Sequence, residues 1–456
     1  MSQRAGSREP MRLQRLSIAE LDDLGGLPQV AAHLRSLVPA GESVEGAVRE
    51  IIAAVRARGD AAVLDYTARF DTDGVPPVEL LVSQEELDEA LKLLDLELVA
   101  GLQVAIANVA LVAQAGVGED AVVELPQGQT VLLREVPVQA AAVYVPGGRA
   151  PYPSTVVMGI VTARAAGVVD VAVCAPPGRD GRVDPVILGA CRLCGVERVY
   201  RMGGAQAIAA LAHGTETVGR VDVIVGPGNL YVQEAKRLLS GTVGIDGFAG
   251  PSDLLVVLGE DVGAREVELT ALDMLAQGEH GEGSLVIAIS SSASVLDALA
   301  ETLERLVVEH PTVADAACAL VHVPDARAAI ELANAIAPEH LQLIGSEPEA
   351  LARMVRCAGC LFVGASAGTA FGDYVAGTNH VLPTDGSARF HSTLSPRQFR
   401  RRMSEVRLGP LGGETVRKLA AAGTPIARAE GFQVHAESMQ ARAQNPVSES
   451  TVADDA

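Results

Sequence analysis

The sequence predicts an α/β protein with two doubly wound parallel-sheet domains, Rossmann-like but incomplete, and small helical domains at the N- and C-termini. Three observations carry this expectation. Between Gln139 and Leu239, apolar runs of strand length alternate with helical patterns, at spacings of about 20–30 residues that mark βαβ units. A second run of the same kind fills Leu254–Val363. The 456 residues are 48% hydrophobic but only 3% aromatic, with no tryptophan, so large cores must be built from Ala, Val, Leu and Ile.

Taken in order, residues 11–38 read as short helices. Val44, Ala47, Val48, Ile51, Ile52 and Val55 recur at helical spacing, which predicts a helix over Ser43–Arg58. Gly59-Asp60 ends it, a second helix runs to Phe70, and the Asp-, Gly- and Pro-rich Asp71–Val78 is loop. Ser83 with Glu86 forms a capping box that opens a helix from Gln84 to Leu94. A further helix spans Glu97–Gln114, and Val122–Leu125 with Thr130–Val136 reads as a β-hairpin.

The first alternating run has strands at Gln139–Val145, Val169–Cys174, Arg198–Arg201 and Val221–Val225. The second has them at Leu254–Leu258, Ser284–Ile289, Ala319–Val323, His340–Ile344 and Cys360–Val363. After Pro396 the chain reads as helical and basic, followed by helices over Glu414–Ala422 and Pro425–Arg442. The expected domains are a helical segment over 1–39, a first α/β domain over 40–143 with 253–394, a second over 144–252, and a C-terminal helical domain over 395–444. The acidic, apolar-poor stretch 445–456 reads as a disordered tail.

A net charge of −21 and a pI near 4.9 repel phosphate backbones and anionic lipid, so neither nucleic acid nor membrane is an expected partner. Met1–Pro10 lacks the apolar core of a secretory signal, and Ser154–Pro177 is broken by Arg164 and Asp170, as a helix followed by a strand would be. The expected setting is the cytoplasm. Cys191-x-x-Cys194 and Cys357-x-x-Cys360 are separated by roughly 160 residues, against about 15–20 for paired zinc knuckles. They read as small hydrophobes.

Three glycine-bearing loops follow strands of the first run: Tyr144–Gly148, Gly203–Gln206 and Gly226–Asn229. They would share the carboxyl edge of one parallel sheet, where glycines let backbone N–H groups approach a nucleotide-sized ligand. Gly-x-Gly-x-x-Gly is absent, so the standard dinucleotide fingerprint is not claimed. A fourth loop, Gly247–Asp253, joins the two runs at a place favoured for a cleft.

The chemistry centres on Ala337-Pro-Glu-His-Leu341. Pro338 disfavours helical dihedrals at Ala337, so Glu339 and His340 fall at a helix-to-strand junction. A carboxylate beside an imidazole can handle two different protons near neutral pH, although the pentapeptide alone reads more simply as a solvated loop charge and a satisfied strand histidine. Gln277 and His280 share a helix face, and Asp373 and His380 follow the last strand. Glu430 and His435 stand five apart, about 140° round a helix. Such nitrogen and oxygen donors suit zinc or another divalent ion.

Together these segments resemble histidinol dehydrogenases. The resemblance runs through Tyr-Val-Pro-Gly-Gly at 144–148, Gly-Gly-Ala-Gln-Ala-Ile-Ala-Ala at 203–210, Gly-Pro-Gly-Asn at 226–229 and Ala-Gly-Pro-Ser at 249–252. It continues through Gln-x-Glu-His at 277–280, Pro-Glu-His-Leu at 338–341 and the long block Gly-Asp-Tyr-x-x-Gly-Thr-Asn-His-Val-Leu-Pro-Thr at 372–384. It covers roughly residues 40–440 in consistent order. The departures are Gly278 inside its block and the acidic tail.

The resemblance implies NAD-dependent oxidation of L-histidinol through the aldehyde to L-histidine, with one zinc ion per subunit. It implies Glu339 and His340 as proton acceptors, and Gln277, His280, Asp373 and His435 as zinc ligands. Ser252, Glu430 and His340 would touch substrate together with those ligands, and Tyr144, Gln206 and Asn229 would contact NAD. It further implies a homodimer in which the C-terminal segment, with Glu430 and His435, reaches the other subunit's site. His380 reads as a relay behind Asp373. Two rivals stand beside this: an NAD-dependent dehydrogenase of another amino alcohol or sulfonate on the same scaffold, and a non-catalytic nucleotide-binding protein, against which the intact Glu339, His340 and ligand set speak.

Overall fold

A computed structural model describes residues 12–444 apart from 22–23, 40–42, 78, 148–149, 249, 282, 311–312 and 314–315. The expected tail over 445–456, and Gly148 and Ala249 of the quoted motifs, lie outside the described residues. The strands in chain order are β1 Arg12–Ser17, β2 Ala121–Glu124, β3 Thr130–Pro137, β4 Ala140–Tyr144, β5 Asp170–Ala175, β6 Arg198–Arg201 and β7 Val223–Val225. They continue as β8 Gly244–Ile245, β9 Asp253–Leu258, β10 Leu285–Ser290, β11 Ala317–His322, β12 His340–Ile344, β13 Cys360–Val363 and β14 Arg400–Arg407.

The chain forms two units, one of residues 1–117 with 138–399 and one of 118–137 with 400–456. The first holds two parallel sheets, ordered β1-β11-β10-β9-β12-β13 and β6-β5-β4-β7-β8. Each is doubly wound, because side chains alternate faces along every strand. In β4, Ala141 and Val143 enter a core with helices Gln84–Leu93, Leu96–Ala115, Pro153–Ala165 and Pro185–Leu193. Ala142 and Tyr144 enter the opposite core with Glu45–Arg58, Asp60–Phe70, Gly204–His213 and Leu230–Leu239. In β9, Leu254 and Val256 face one core and Leu255 and Val257 the other.

The packing corrects the expected grouping of 40–143 with 253–394. The helices between Glu45 and Ala115 pack on the five-stranded sheet, and a boundary at 143/144 would cut through β4, in the middle of that sheet. The N-terminus is not helical throughout either, because β1 adds an edge strand to the six-stranded sheet in register with β11. Its partner lies some 300 residues away, and its Arg12 and Arg15 face solvent, so local periodicity carries no strand signal.

Among the described residues one helix, Leu96–Ala115, is long and apolar enough to cross a membrane. Its Leu102, Ala105, Val109 and Ala113 lie in the core, whereas Leu96, Val104, Leu111 and Val112 are exposed.

The second unit pairs β14 with β3 and β3 with β2, all antiparallel, and packs helix Glu414–Ala429 against Gln433–Ala443. The basic stretch after Pro396 is therefore largely a strand. Its charges are answered across the ladder, Arg402 by Glu135 at 2.5 Å and Glu405 by Arg134 at 3.5 Å. The break between the last helices falls at Glu430–Phe432 and not at Gly423–Thr424. Pro425 is accommodated inside the first helix, which ends when Gly431 takes φ +81° and Phe432 N–H donates to Ala427 O at 2.8 Å.

Candidate active site

Strands β9 and β12 are neighbours, and their amino ends bring Ser252-Asp253 beside Glu339-His340. The helix Ala326–Ile336 stops because Ala337 turns left-handed, at φ +50°, ahead of Pro338. Glu339 is then gripped from both sides. Its N–H donates to Asp253 Oδ1 at 2.6 Å, and its carbonyl accepts from Cys360 N–H at 2.9 Å. Its carboxylate Oε2 accepts from the Ser252 hydroxyl at 2.5 Å and from Asp253 N–H at 3.1 Å. Gln277 Nε2 donates to the same Ser252 Oγ at 2.5 Å. The structure thus brings Gln277, Ser252 and Glu339 into one chain of hydrogen bonds. These side chains stand at the amino edge of their sheet, the opposite edge from the usual ligand edge of an α/β protein.

Glu339 and His340 are 7% and 3% exposed, so burial dominates their electrostatics. Desolvation raises the Glu339 carboxyl above its usual range, against the His340 charge and its own hydrogen bonds. Burial, and then the charge of Glu339, raise Asp253 as well. Burial lowers the His340 ring, but Asp373 and Glu339 outweigh it and bring the ring up to about 9. His340 Nε2 is 3.4 Å from Asp373 Oδ1 and Nδ1 is 3.8 Å from Glu339 Oε2, yet neither nitrogen makes a well-formed hydrogen bond. The two carboxylates beside the ring favour its charged form. Burial raises Asp373, but the contact with His340 and the charges of His340, His380 and His280 leave it below the ordinary range.

Two further histidines are built in. His280 Nδ1 lies 3.1 Å from Gln277 O, and because a carbonyl only accepts, that nitrogen carries a proton, so in the neutral ring Nε2 is the donor to a metal. His380 Nδ1 meets the backbone oxygen of Asp373 at 2.9 Å, and its Nε2 meets Thr155 Oγ1 at 3.2 Å. Burial lowers its pKa. His380 therefore bridges to helix Pro153–Ala165 and does not touch the Asp373 carboxylate, contrary to a direct relay.

Among the described residues no group of three or more His, Cys, Asp or Glu side chains forms a metal-holding array. Of the expected ligands, His280 and Asp373 line the same cleft as Ser252, and Gln277 is tied to that Ser252 through Nε2, which leaves its amide oxygen as a donor. One amide, one imidazole and one carboxylate are nitrogen and oxygen donors of the kind that hold zinc or another divalent ion. The Cys191 and Cys194 thiols are buried in the core, and burial raises both.

His280, Ser252, Glu339, His340, Asp373 and His380 line one cleft of about 520 Å³. A second cavity, of about 1010 Å³, lies over the carboxyl ends of β4, β5 and β6 and is lined by Tyr144, Gln206 and Asn229. Gly147 and Asn229 line both, so the two spaces adjoin. Tyr144 accepts from Gly204 N–H at 3.1 Å. Gln206 is buried with both amide atoms lacking a partner. Asn229 caps helix Leu230–Leu239, its Oδ1 accepting from Tyr231 and Val232 N–H at 3.1 and 3.2 Å, which leaves its NH₂ to donate to a ligand.

Glu430 and His435 belong to the second unit, where both are exposed. Glu430 closes helix Glu414–Ala429 and His435 sits in the first turn of Gln433–Ala443, so they do not share one helix. Sequence reading missed Asp253 and Thr155. Asp253 stands next to Ser252 at the start of a buried strand, and only the β9–β12 pairing reveals its partner.

The family model for histidinol dehydrogenase matches residues 38–443. The histidinol dehydrogenase of Rhizobium meliloti (strain 1021) is 42% identical over 418 residues, covering 90% of this chain and 95% of that protein. That of Synechococcus sp. is 41% identical over 407 residues, covering 88% and 92%. A crystal structure of histidinol dehydrogenase from Elizabethkingia anophelis superposes with a TM-score of 0.85 at 28% identity, covering 96% of this chain and 99% of that one. The chain belongs to the histidinol dehydrogenase family and is an oxidoreductase.

Proposed function

We propose that the protein oxidises L-histidinol through L-histidinal to L-histidine, the last step of histidine biosynthesis, using NAD twice and one zinc ion per subunit. One observation carries this reading. The acid–imidazole couple Glu339-His340 shares its cleft with the donors His280 and Asp373, and that cleft adjoins the glycine-loop cavity through Gly147 and Asn229.

The first step needs a base for the hydroxyl proton as hydride leaves the carbinol carbon for the nicotinamide. His340 faces the cleft and is the group suited to it. Asp373 and Glu339 stabilise the imidazolium that forms when the neutral ring takes that proton. The second step adds water to the aldehyde carbon before hydride can leave again. Glu339 is suited to take the proton from that water, since burial raises its pKa toward neutral. Ser252 and Asp253 fix its carboxylate. Bound zinc would supply a positive charge that grips the substrate's nitrogen donors. Gln277, His280 and Asp373 would hold it.

His435 would be a further ligand and Glu430 a substrate contact, both supplied across a homodimer, as the family resemblance implies. The exposed apolar face of Leu96–Ala115 also suits a protein partner. We place the enzyme in the cytoplasm, with no nucleic-acid or membrane partner. The test is stoichiometric. Zinc-loaded protein given limiting L-histidinol should form two NADH and one L-histidine per substrate, and a chelator should abolish turnover. One NADH per substrate, or turnover only with another amino alcohol, would replace this reading.

A further inference from the structure

We propose that Lys236 and Asp246 are positioning residues for the cofactor: their buried ion pair fixes the Gly226–Asn229 loop in the shape that binds NAD. This rests on the reading that the loop meets NAD. Lys236 is 1% exposed, a buried cation with no part in the chemistry above. Its Nζ lies 2.7 Å from Asp246 Oδ1 and donates to Gly226 O at 2.5 Å. Asp246 Oδ2 accepts from Gly226 N–H at 2.6 Å. The pair therefore holds both polar backbone groups of a single loop residue.

That residue has little freedom otherwise. Gly226 takes φ +114°, and a Cβ there would stand 2.1 Å from Tyr144 O, so the loop runs against the end of β4. Downstream, Gln233 Nε2 donates to Gly228 O at 3.3 Å and Asn229 caps its helix. Asp246 also opens the segment that ends at Ser252 and Asp253, the residues holding Glu339.

Energetics favour a purpose beyond packing. A buried ion pair is often no more stable than apolar side chains of like volume. If helix packing were all that was required, a methionine would serve at 236. The pair's remaining hydrogen bonds go to loop backbone, which is what positioning requires. Because its charges cancel, its effect on NAD is geometric.

The test measures NADH binding by fluorescence enhancement in the zinc-loaded wild type, in Lys236→Met and in Lys236→Met/Asp246→Leu. Both variants should bind at least about tenfold more weakly, about 1.4 kcal/mol. KM for NAD should rise in step, with kcat at saturating NAD and zinc content within about twofold of wild type. The double variant strands no carboxylate, so it decides the matter if the single one fails to fold. A purely structural pair would lower thermal stability or the active fraction and leave the dissociation constant unchanged. That result, or failure of both variants to fold, overturns the proposal. Wild-type protein that does not bind NADH would instead overturn the function proposed above.

Discussion

Glu339 and Asp253 clamp each other: the N–H of each donates to the carboxylate of the other, at 2.6 and 3.1 Å. Burial raises both carboxyls and the charge of Glu339 raises Asp253 further, and since repulsion between two carboxylates is mutual, the pair resists full ionisation. Asp253→Asn keeps an acceptor for Glu339 N–H and removes the neighbouring charge. The pKa governing histidinal oxidation should fall, moving the acid limb of its pH–rate profile to lower pH. An unmoved acid limb would detach Asp253 from the chemistry.

Gly359 is required by close approach. A Cβ there would lie 2.5 Å from Glu339 O and 3.2 Å from Pro383 Cδ. Gly359→Ala should cost about 1–3 kcal/mol of stability, as overpacking does, and should lower activity by displacing Glu339. Urea unfolding alongside the rate at saturating substrates checks both.

Asp71 lines the larger cavity, and burial raises its carboxyl to about 6. In the unfolded chain it titrates near 3.8. The folded state then binds more protons between those values, so this group's contribution is fully present below pH 4 and is lost as pH rises through about 6. Asp71→Asn should flatten the fall in melting temperature over that window and leave the protein more stable than wild type at pH 7.

His435→Asn should lower zinc content without unfolding the chain, since the side chain is exposed. Mixed dimers of this variant with Glu339→Gln should regain part of the activity, because one of the two sites then receives both intact groups. Absence of any recovery would argue against sharing of sites between subunits.

Much of the site was legible because it rests on buried strands and strong punctuation. The sequence places strands at His340–Ile344 and Cys360–Val363, and the structure has the same bounds. Pro338 marks the left-handed turn at Ala337. What stayed hidden depends on pairing at a distance. The Asp253 partner of Glu339 lies 86 residues away, β1 pairs with a strand some 300 residues further on, and β14 looks helical until Glu135 and Arg134 answer its charges. The electrostatics of His340 were equally out of reach, since its burial is outweighed by Asp373, which lies in the short helix Thr369–Tyr374, and by Glu339.

The central claim is that Glu339 and His340 manage different protons. The most direct measurement compares Glu339→Gln and His340→Gln in zinc-loaded protein on L-histidinol and on L-histidinal separately. Glu339→Gln should slow aldehyde oxidation by about 10²–10⁴-fold and alcohol oxidation far less, with His340→Gln impairing alcohol oxidation strongly. Equal losses in both half-reactions for Glu339→Gln would contradict the division of labour.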